Sequence, residues 1–449
     1  LAGCGSDDSS QFDGGQSADK DSSAQCEPFC NPDIDGGGNL GDGGTPGPCV
    51  NLQCKQVKCG GGGTTSLSGI VYDPAGKVPL YNVIVYVPNK PVDPIVHGAT
   101  CDKCGQVSGS PVVSTLTNTK GEFTLKDVPV GQNIPVVIQV GKWRRQIVIP
   151  QVDACKDTPL AKSETHLPRN KSEGDIPYIA LTTGGADPLE CLPKKMGLDV
   201  AEFTNSGGNG SIHLYKGVGG GQINGQTPTV NNFWNSDANL KKYDMVLLGC
   251  EGGEHNENKG PAAFAAMKAY ADAGGRVFGT HFHYTWLENG PQDFKSTATF
   301  SHPGNPPNPS DGFIDDSFPK GKAFAEWMSF NGPLKSNPPP VFSIKDPRRD
   351  VTTVATDSTR WVYNTSQNVT YYYSFNTPVG LKPDNQCGKV VFSDLHVSSG
   401  DQVGATFPAG CTTTDLSPQE KALEFLLFDL SSCIQDDKQP PPPPPVGPN

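Results

Sequence analysis

Apolar residues along this chain follow two different periods. Between 67 and 152 they come in short alternating runs, at 67–72, 82–87, 122–125, 134–140 and 146–149. A period of two buries one face of a strand. Turn formers punctuate the runs, Asp73-Pro74-Ala75-Gly76 after the first and Lys120-Gly121 before the third. With no helical period between them, the runs predict a small antiparallel β-sandwich over 67–152. A polar stretch with Pro159 and Pro168, residues 153–175, reads as a linker that Cys155 ties back to a neighbour. Beyond it, near-continuous apolar runs at 178–181, 200–203, 245–248, 276–279, 370–375 and 389–392 alternate with helical patterns at 188–195, 261–273, 322–328 and 418–430. The helix at 261–273 opens on Pro261, has an alanine-rich body and stops at Gly274-Gly275. Strands buried on both faces and separated by helices predict a three-layer α/β domain with a mostly parallel sheet over 176–435. The fold class expected is therefore multidomain. Residues 296–348, rich in Pro, Asn and Gly around one short helix, are long enough for a lid or for decoration.

The ends of the chain lack either period. Residues 5–66 are Gly, Ser, Asp, Asn and Gln with few aliphatics, and cannot bury enough apolar area to offset ordering entropy. Residues 1–66 thus read as a flexible tether, broken into short knots by Cys26, Cys30, Cys49, Cys54 and Cys59. Its Asp33-Ile34-Asp35-Gly36 run lacks the later carboxylates and closing Glu of a calcium loop and is treated as linker. Residues 436–449 form a tail whose prolines at 440–445 predict a stiff polyproline II spacer.

Composition narrows the partners. A net charge of −12, with no basic stripe, excludes a nucleic-acid backbone. Fourteen cysteines point to disulfides in an oxidising compartment. Structural zinc is disfavoured because only Cys101-Asp102-Lys103-Cys104 has ligand-pair spacing, and that insertion reads as a local disulfide clip. Cys387 and Cys411, flanking the last strand, are expected to staple that corner. No apolar run approaches the ~20 residues that span a bilayer. Leu1-Ala2-Gly3-Cys4 resembles the lipobox of bacterial lipoproteins, which implies cleavage of a signal peptide, a lipid anchor through Cys4, and export to the outer membrane or cell surface.

Candidate chemistry gathers just past three strands, where open α/β sheets form a crevice. The run at 245–248 leads into Gly249-Cys250-Glu251-Gly252-Gly253-Glu254-His255, that at 276–279 into Thr280-His281-Phe282-His283, and that at 389–392 into Ser393-Asp394-Leu395-His396. One reading is a divalent metal such as zinc. His281 and His283 would share one side of an extended strand end, and His396 with Glu254 or His255 would complete the ligands. Glu251, Glu254 or Asp394 would then serve as general base or ligand. A second reading is nucleophilic catalysis by Cys250 with a histidine base. If Cys4 carries lipid, an odd number of cysteines remains and Cys250 is a candidate for the unpaired one. Trp234, Trp286 and Trp361 suit either sugar stacking or core packing.

Two family resemblances add to this. Ser68-Gly69-Ile70-Val71-Tyr72-Asp73, Val83-Ile84-Val85-Tyr86-Val87, Thr119-Lys120-Gly121-Glu122-Phe123-Thr124-Leu125 and Val128-Pro129-Val130-Gly131 resemble the carboxypeptidase regulatory-like, transthyretin-like domains, which implies a spacer or binding module. Tyr243-Asp244-Met245-Val246-Leu247-Leu248, the stretch Phe264-Ala265-Ala266-Met267 through Gly274-Gly275-Arg276-Val277-Phe278-Gly279-Thr280-His281, and Gly388-Lys389-Val390-Val391-Phe392-Ser393 resemble the class I glutamine-amidotransferase-like fold. Within it they are closer to the ThuA-like branch, over about 176–432. Thr280-His281 stands where true amidotransferases place their cysteine, so the resemblance implies carbohydrate metabolism rather than glutamine hydrolysis, with His281 in the pocket. An insertion at 282–348 departs from the compact form. Three functions remain open: a metal-dependent hydrolase or lyase acting on a carbohydrate derivative, a non-catalytic module binding a glycan or surface protein, and a self-associating structural surface protein.

Overall fold

Period-two alternation builds two small sheets. The computed structural model describes residues 49–332, 334–396 and 400–445, so Cys4, Cys26, Cys30 and the run at 33–36 lie outside the described residues. Ser66–Ile70 pairs antiparallel with Glu122–Lys126 and parallel with Asp157–Pro159. Pro111–Leu116, Ile84–Pro88, Gly131–Val140 and Trp143–Val152 form an antiparallel four-stranded sheet in that order. Leu67, Phe123 and Leu125 of the first sheet share one apolar cluster with Val85, Val87, Ile134 and Ile138 of the second. Two strands gave no pattern in the sequence. Pro111–Leu116 is mostly half-buried, and Asp157–Pro159 is short and polar.

The presumed linker and part of the presumed tether are built into this region. Cys155 is bonded to Cys59, Tyr72 N–H donates to the Thr165 carbonyl at 3.0 Å, and Arg144 Nε donates to Asp175 at 2.9 Å. Residues from 49 onward are held by the Cys49–Cys54 bridge and by Val130 N–H on the Lys55 carbonyl.

A ten-stranded mixed sheet dominates the rest. Its strands are β1 (Ile179–Thr183), β2 (Phe203–Asn205), β3 (Ile212–Lys216), β4 (Met245–Leu248), β5 (Arg276–Thr280), β6 (Ser310–Ile314), β7 (Val341–Ile344), β8 (Ser358–Asn364), β9 (Val369–Thr377) and β10 (Gly388–Ser393). The order across the sheet is β7-β6-β8-β9-β10-β5-β4-β1-β3-β2. From β10 to β2 every pairing is parallel; from β10 to β7 every pairing is antiparallel. The expectation of a mostly parallel sheet thus holds for one side only. The other side is an antiparallel wing, and the presumed insertion supplies β6, β7 and helix α2 (Pro319–Asn331) to it.

Alternation along the central strands assigns each face. Leu181, Met245, Leu247, Phe278 and Val391 point into the cluster shared with the small sheets and with Leu423, Leu427 and Phe428 of helix α3 (Pro418–Ser431). Ala180, Val246, Leu248, Val277, Val390 and Phe392 point to the opposite face, against Ala263, Met267 and Tyr270 of helix α1 (Pro261–Asp272). Each fully buried large side chain contributes about 1.5–3 kcal/mol, so the two faces fix the strand order strongly.

Disulfides cross long distances in the sequence. Cys101 pairs with Cys387 and Cys104 with Cys433, not with each other, and Cys411 pairs with Cys191. The loop that carries the Cys-x-x-Cys lies across the ends of β10 and α3, so each sulfur meets a cysteine from that end of the fold rather than its neighbour. The proline tail is not a projecting spacer over its described part. Pro442, Pro443, Pro444 and Pro445 line a groove with Ile95, Val107 and other residues of the loop around the Cys-x-x-Cys. Five disulfides among the described residues are the pattern of a protein that matures outside the reducing cytoplasm. Among the described residues no helix is long and apolar enough to cross a membrane.

Candidate active site

Three adjacent parallel strands, β4, β5 and β10, end side by side, and their first irregular residues meet. Cys250 follows β4. Its N–H donates to Thr280 Oγ1 at 2.9 Å, and that hydroxyl donates in turn to Asp187. Gly184 lets the β1 loop pass over the Cys250 carbonyl, since a Cβ there would lie 2.1 Å from that oxygen. His281 follows β5 with φ of +37°, a left-handed conformation rare for a residue with a side chain. The sharp turn swings its ring toward Cys250. His396 follows β10.

Cys250 Sγ lies 3.4 Å from His281 Nδ1, and His396 Nε2 lies 2.9 Å from the same nitrogen. One ligand atom from each of these three residues falls within 4.8 Å of the others. On the far side of the ring, His281 Nε2 faces Asp350 Oδ2 at 3.4 Å. Arg348 Nη2 approaches His396 Nδ1 at 3.2 Å. A guanidinium can only donate, so Nδ1 accepts and His396 carries its proton on Nε2, given to His281 Nδ1. His281 then carries its own proton on Nε2, toward Asp350.

Burial keeps the trio uncharged. It pushes the Cys250 thiol up to about 12, with the Asp187 carboxylate adding to the effect. Burial takes His281 down to about 2, helped by the charges of His396 and Arg348, and lowers His396 as well. Neutral imidazoles are the ligating form of histidine, whereas a thiol held at such a value is a poor nucleophile on its own.

Further out, His302 bridges two acids, with Nδ1 2.7 Å from Asp350 Oδ1 and Nε2 3.0 Å from Glu288 Oε2. A cleft of about 470 Å³ opens here, lined by His281, His396, His302, Arg348, Arg349 and Asp350, with Phe282 and Tyr284 on its wall. Cys250 is fully buried behind the two histidines and does not line the cleft.

The other residues singled out in the sequence do not join the trio. His283 accepts from Trp286 Nε1 at 3.1 Å and donates to the Gly249 carbonyl at 2.9 Å, so both ring nitrogens are engaged in the core, and burial lowers it to about 4. The expected shared side with His281 fails because His281–Tyr284 turns into a 3-10 helix instead of staying extended. Glu251 is a buried ion-pair partner of Lys259 at 2.8 Å and accepts from Val218 N–H at 2.9 Å. Burial pushes its carboxyl up, but the charges of His283 and Lys259 outweigh that and the net shift is downward. Glu254 accepts from the Tyr284 hydroxyl at 2.6 Å, and His255 pairs with Glu257 at 3.0 Å. Asp394 is buried and accepts from Asp350 N–H at 2.5 Å and Val351 N–H at 3.2 Å, so it holds the Asp350 backbone rather than meeting substrate. Trp234, Trp286 and Trp361 are core residues.

Asp350, His302, Glu288, Arg348 and Arg349 carried no signal in the sequence. His302 comes from the irregular stretch, Arg348, Arg349 and Asp350 from the loop after β7, and Glu288 from the end of a four-residue helix at Thr285–Glu288, places where periodicity says nothing about position.

The chain matches no protein-family model and no curated protein. Solved structures give distant likenesses only. A ThuA-like protein from Bacteroides uniformis is 14% identical, with 48% of this chain and 80% of that one covered and a TM-score of 0.29. The protein SMU.1228c is 11% identical, with 57% and 99% covered and a TM-score of 0.33. An exo-beta-1,4-mannosidase from Opitutaceae bacterium strain TAV5 is 9% identical, with 62% and 38% covered and a TM-score of 0.27. At these scores none carries an argument about function, which rests on the site.

Proposed function

We propose that this chain is an extracytoplasmic metal-dependent hydrolase whose divalent ion is held by Cys250, His281 and His396. The observation behind the reading is that three ligand atoms of suitable chemistry, from three separate strand ends, lie within 4.8 Å of one another at the back of a cleft. One thiolate and two imidazoles suit zinc, and three protein ligands leave a position for water. When bound, such an ion supplies a hydroxide nucleophile near neutral pH. The remaining residues have their own work. Asp350 Oδ2 faces His281 Nε2 at 3.4 Å, the place from which an outer-shell carboxylate orients a ligating histidine. Asp394 fixes Asp350. His302, half-exposed at the cleft and bridged by two carboxylates, is placed to give a proton to a leaving group. With an ion held, His396 would offer Nε2 and carry its proton on Nδ1, so the Arg348 Nη2 contact to Nδ1 at 3.2 Å belongs to the metal-free protein. Cys250 as a free nucleophile is the weaker reading, because its sulfur is walled off from the cleft.

A carbohydrate derivative is the substrate class suggested by the ThuA-like sequence features, and a lipid anchor at Cys4 remains part of the proposal. Protein purified without chelator and analysed for bound metal decides the central point. Wild type and His255→Ala should hold stoichiometric metal, while Cys250→Ser and His281→Ala should hold almost none. Equal metal in all four would remove the basis of the reading.

A further inference from the structure

The cleft in front of the trio contains two adjacent arginines that have no carboxylate partner among the described residues. Elsewhere in the chain Arg144 pairs with Asp175, Arg145 and Arg169 with Glu173, and Arg360 with Asp315. Arg276 is buried and its guanidinium donates to three backbone carbonyls. Among the described residues, Arg348 and Arg349 form no ion pair. They are held by neutral backbone oxygens instead. Arg348 Nη1 donates to the Asp346 and Pro347 carbonyls at 3.2 and 3.0 Å. Arg349 donates from Nε, Nη1 and Nη2 to the Gly304, Gln367 and Pro303 carbonyls at 3.2, 3.2 and 3.3 Å. The side chain of Asp346 is turned to Asn308 at 2.7 Å, and both oxygens of Asp350 face histidines.

Backbone carbonyls orient a guanidinium without cancelling its charge. Each guanidinium has five N–H donors, so roughly two on each remain for a ligand. Fixed, uncompensated guanidinium groups in a cleft are a recognition element for oxyanions, which they bind by paired, charge-assisted hydrogen bonds. Their presence is notable in a chain of net charge −12, where a negative surface would otherwise repel such a ligand. Arg348 also reaches His396, so an anion held by the pair lies beside the metal trio, with Phe282 on the same wall as an apolar surface for a ring.

We propose that the cleft selects a substrate bearing an oxyanion, a carboxylate, sulfate or phosphate group, gripped by Arg348 and Arg349. The inference names the substrate class of the hydrolase reading and rests on it, although the anion grip itself needs no metal. The test is calorimetric titration of the full chain, at low and fixed ionic strength, with glucuronate, inorganic sulfate and inorganic phosphate, and with neutral glucose and chloride as references. At least one oxyanion should bind in preference to chloride and glucose, and which one binds identifies the group. Arg349→Gln and, separately, Arg348→Gln should weaken that binding about tenfold or more, as expected for loss of one charge-assisted contact. Arg349→Lys should recover part of it. Metal content is measured on the same wild-type samples, so an oxyanion bound by protein that holds no metal (failure of the metal reading alone) and metal-loaded protein with no oxyanion preference (failure of this one alone) are seen separately. Wild type with no preference for any oxyanion over chloride overturns the proposal. So does unchanged affinity in whichever Arg→Gln variant folds.

Discussion

His302 and His283 show how one residue type takes opposite roles a short distance apart. Burial alone would lower His302, but its hydrogen bonds to Asp350 and Glu288 outweigh that and raise it. The protonated form is therefore favoured in the folded state. Its contribution to stability is complete below the ordinary value of 6.5 and is lost as pH rises through the raised value. An NMR titration should show one imidazole titrating above 6.5, and Glu288→Gln should bring it back down; an unshifted resonance in wild type would remove His302 as the proton donor. His283 instead is neutral and satisfied on both nitrogens. His283→Ala leaves the Gly249 carbonyl and the Trp286 N–H unpaired in the core, and should destabilise by about 2–4 kcal/mol in denaturant unfolding. Metal content of the folded variant should be unchanged, which separates this core histidine from His281.

At the scale of elements, helix α3 carries the strain of the assembly. Its N-terminus is well made, with the Ser417 and Glu420 capping box, and Glu420 also meets buried Lys195 at 2.6 Å. One turn later Glu424 is fully buried with neither carboxyl oxygen hydrogen-bonded, and Asp73 of the first small domain region has a buried oxygen in the same condition. Burial raises both, Asp73 to about 6, and the negative charges of Asp73 and Glu420 raise Glu424 further. The cations that act on them, Lys77 and Lys162 on Asp73 and Lys421 on Glu424, do not reverse this. Each group favours its protonated form in the folded state. The stability they contribute is present below the ordinary carboxylate range and is lost as pH rises through their raised values, Asp73 passing about 6. Glu424→Gln should therefore raise thermal stability at pH 8, by about 1–3 kcal/mol, and change little at pH 4. A gain of the same size at both pH values would show that charge is not the cause.

For the molecule as a whole, the disulfides that join the loop around Cys101 and Cys104 to β10 and to the end of α3 close the longest covalent loops among the described residues, with sequence separations of 286 and 329. In the chain-entropy account, closure of a loop this long by itself stabilises by about 6 kcal/mol, and by less while the neighbouring bridge persists. Cys104→Ser with Cys433→Ser should lower the melting temperature markedly. It should leave metal content at room temperature intact, because that bridge lies at the opposite ends of the central strands from Cys250, His281 and His396. Loss of metal together with the bridge would mean that the two ends of the sheet are coupled.

How much of this was legible beforehand differs between levels. The strands at Met245–Leu248, Arg276–Thr280 and Gly388–Ser393 and the helices at Pro261–Asp272 and Pro418–Ser431 follow from local apolar spacing, caps and stops, which act between near neighbours and are written in the order of residues. That the ends of these three strands meet follows from parallel strands delivering their ends to one edge. The ligands expected beside His281 and His396, however, are His283 with Glu254 or His255, and Cys250 stands apart as a nucleophile. Tertiary structure alone decided the antiparallel wing, the pairing of Cys101 and Cys104 with distant partners, and the retirement of His283, Glu251 and Asp394 to supporting roles. It alone brought Asp350, His302, Arg348 and Arg349 to the cleft. Those residues sit in irregular backbone, where no periodicity fixes direction, and a side chain's charge state and task depend on neighbours that the linear order keeps tens or hundreds of residues apart.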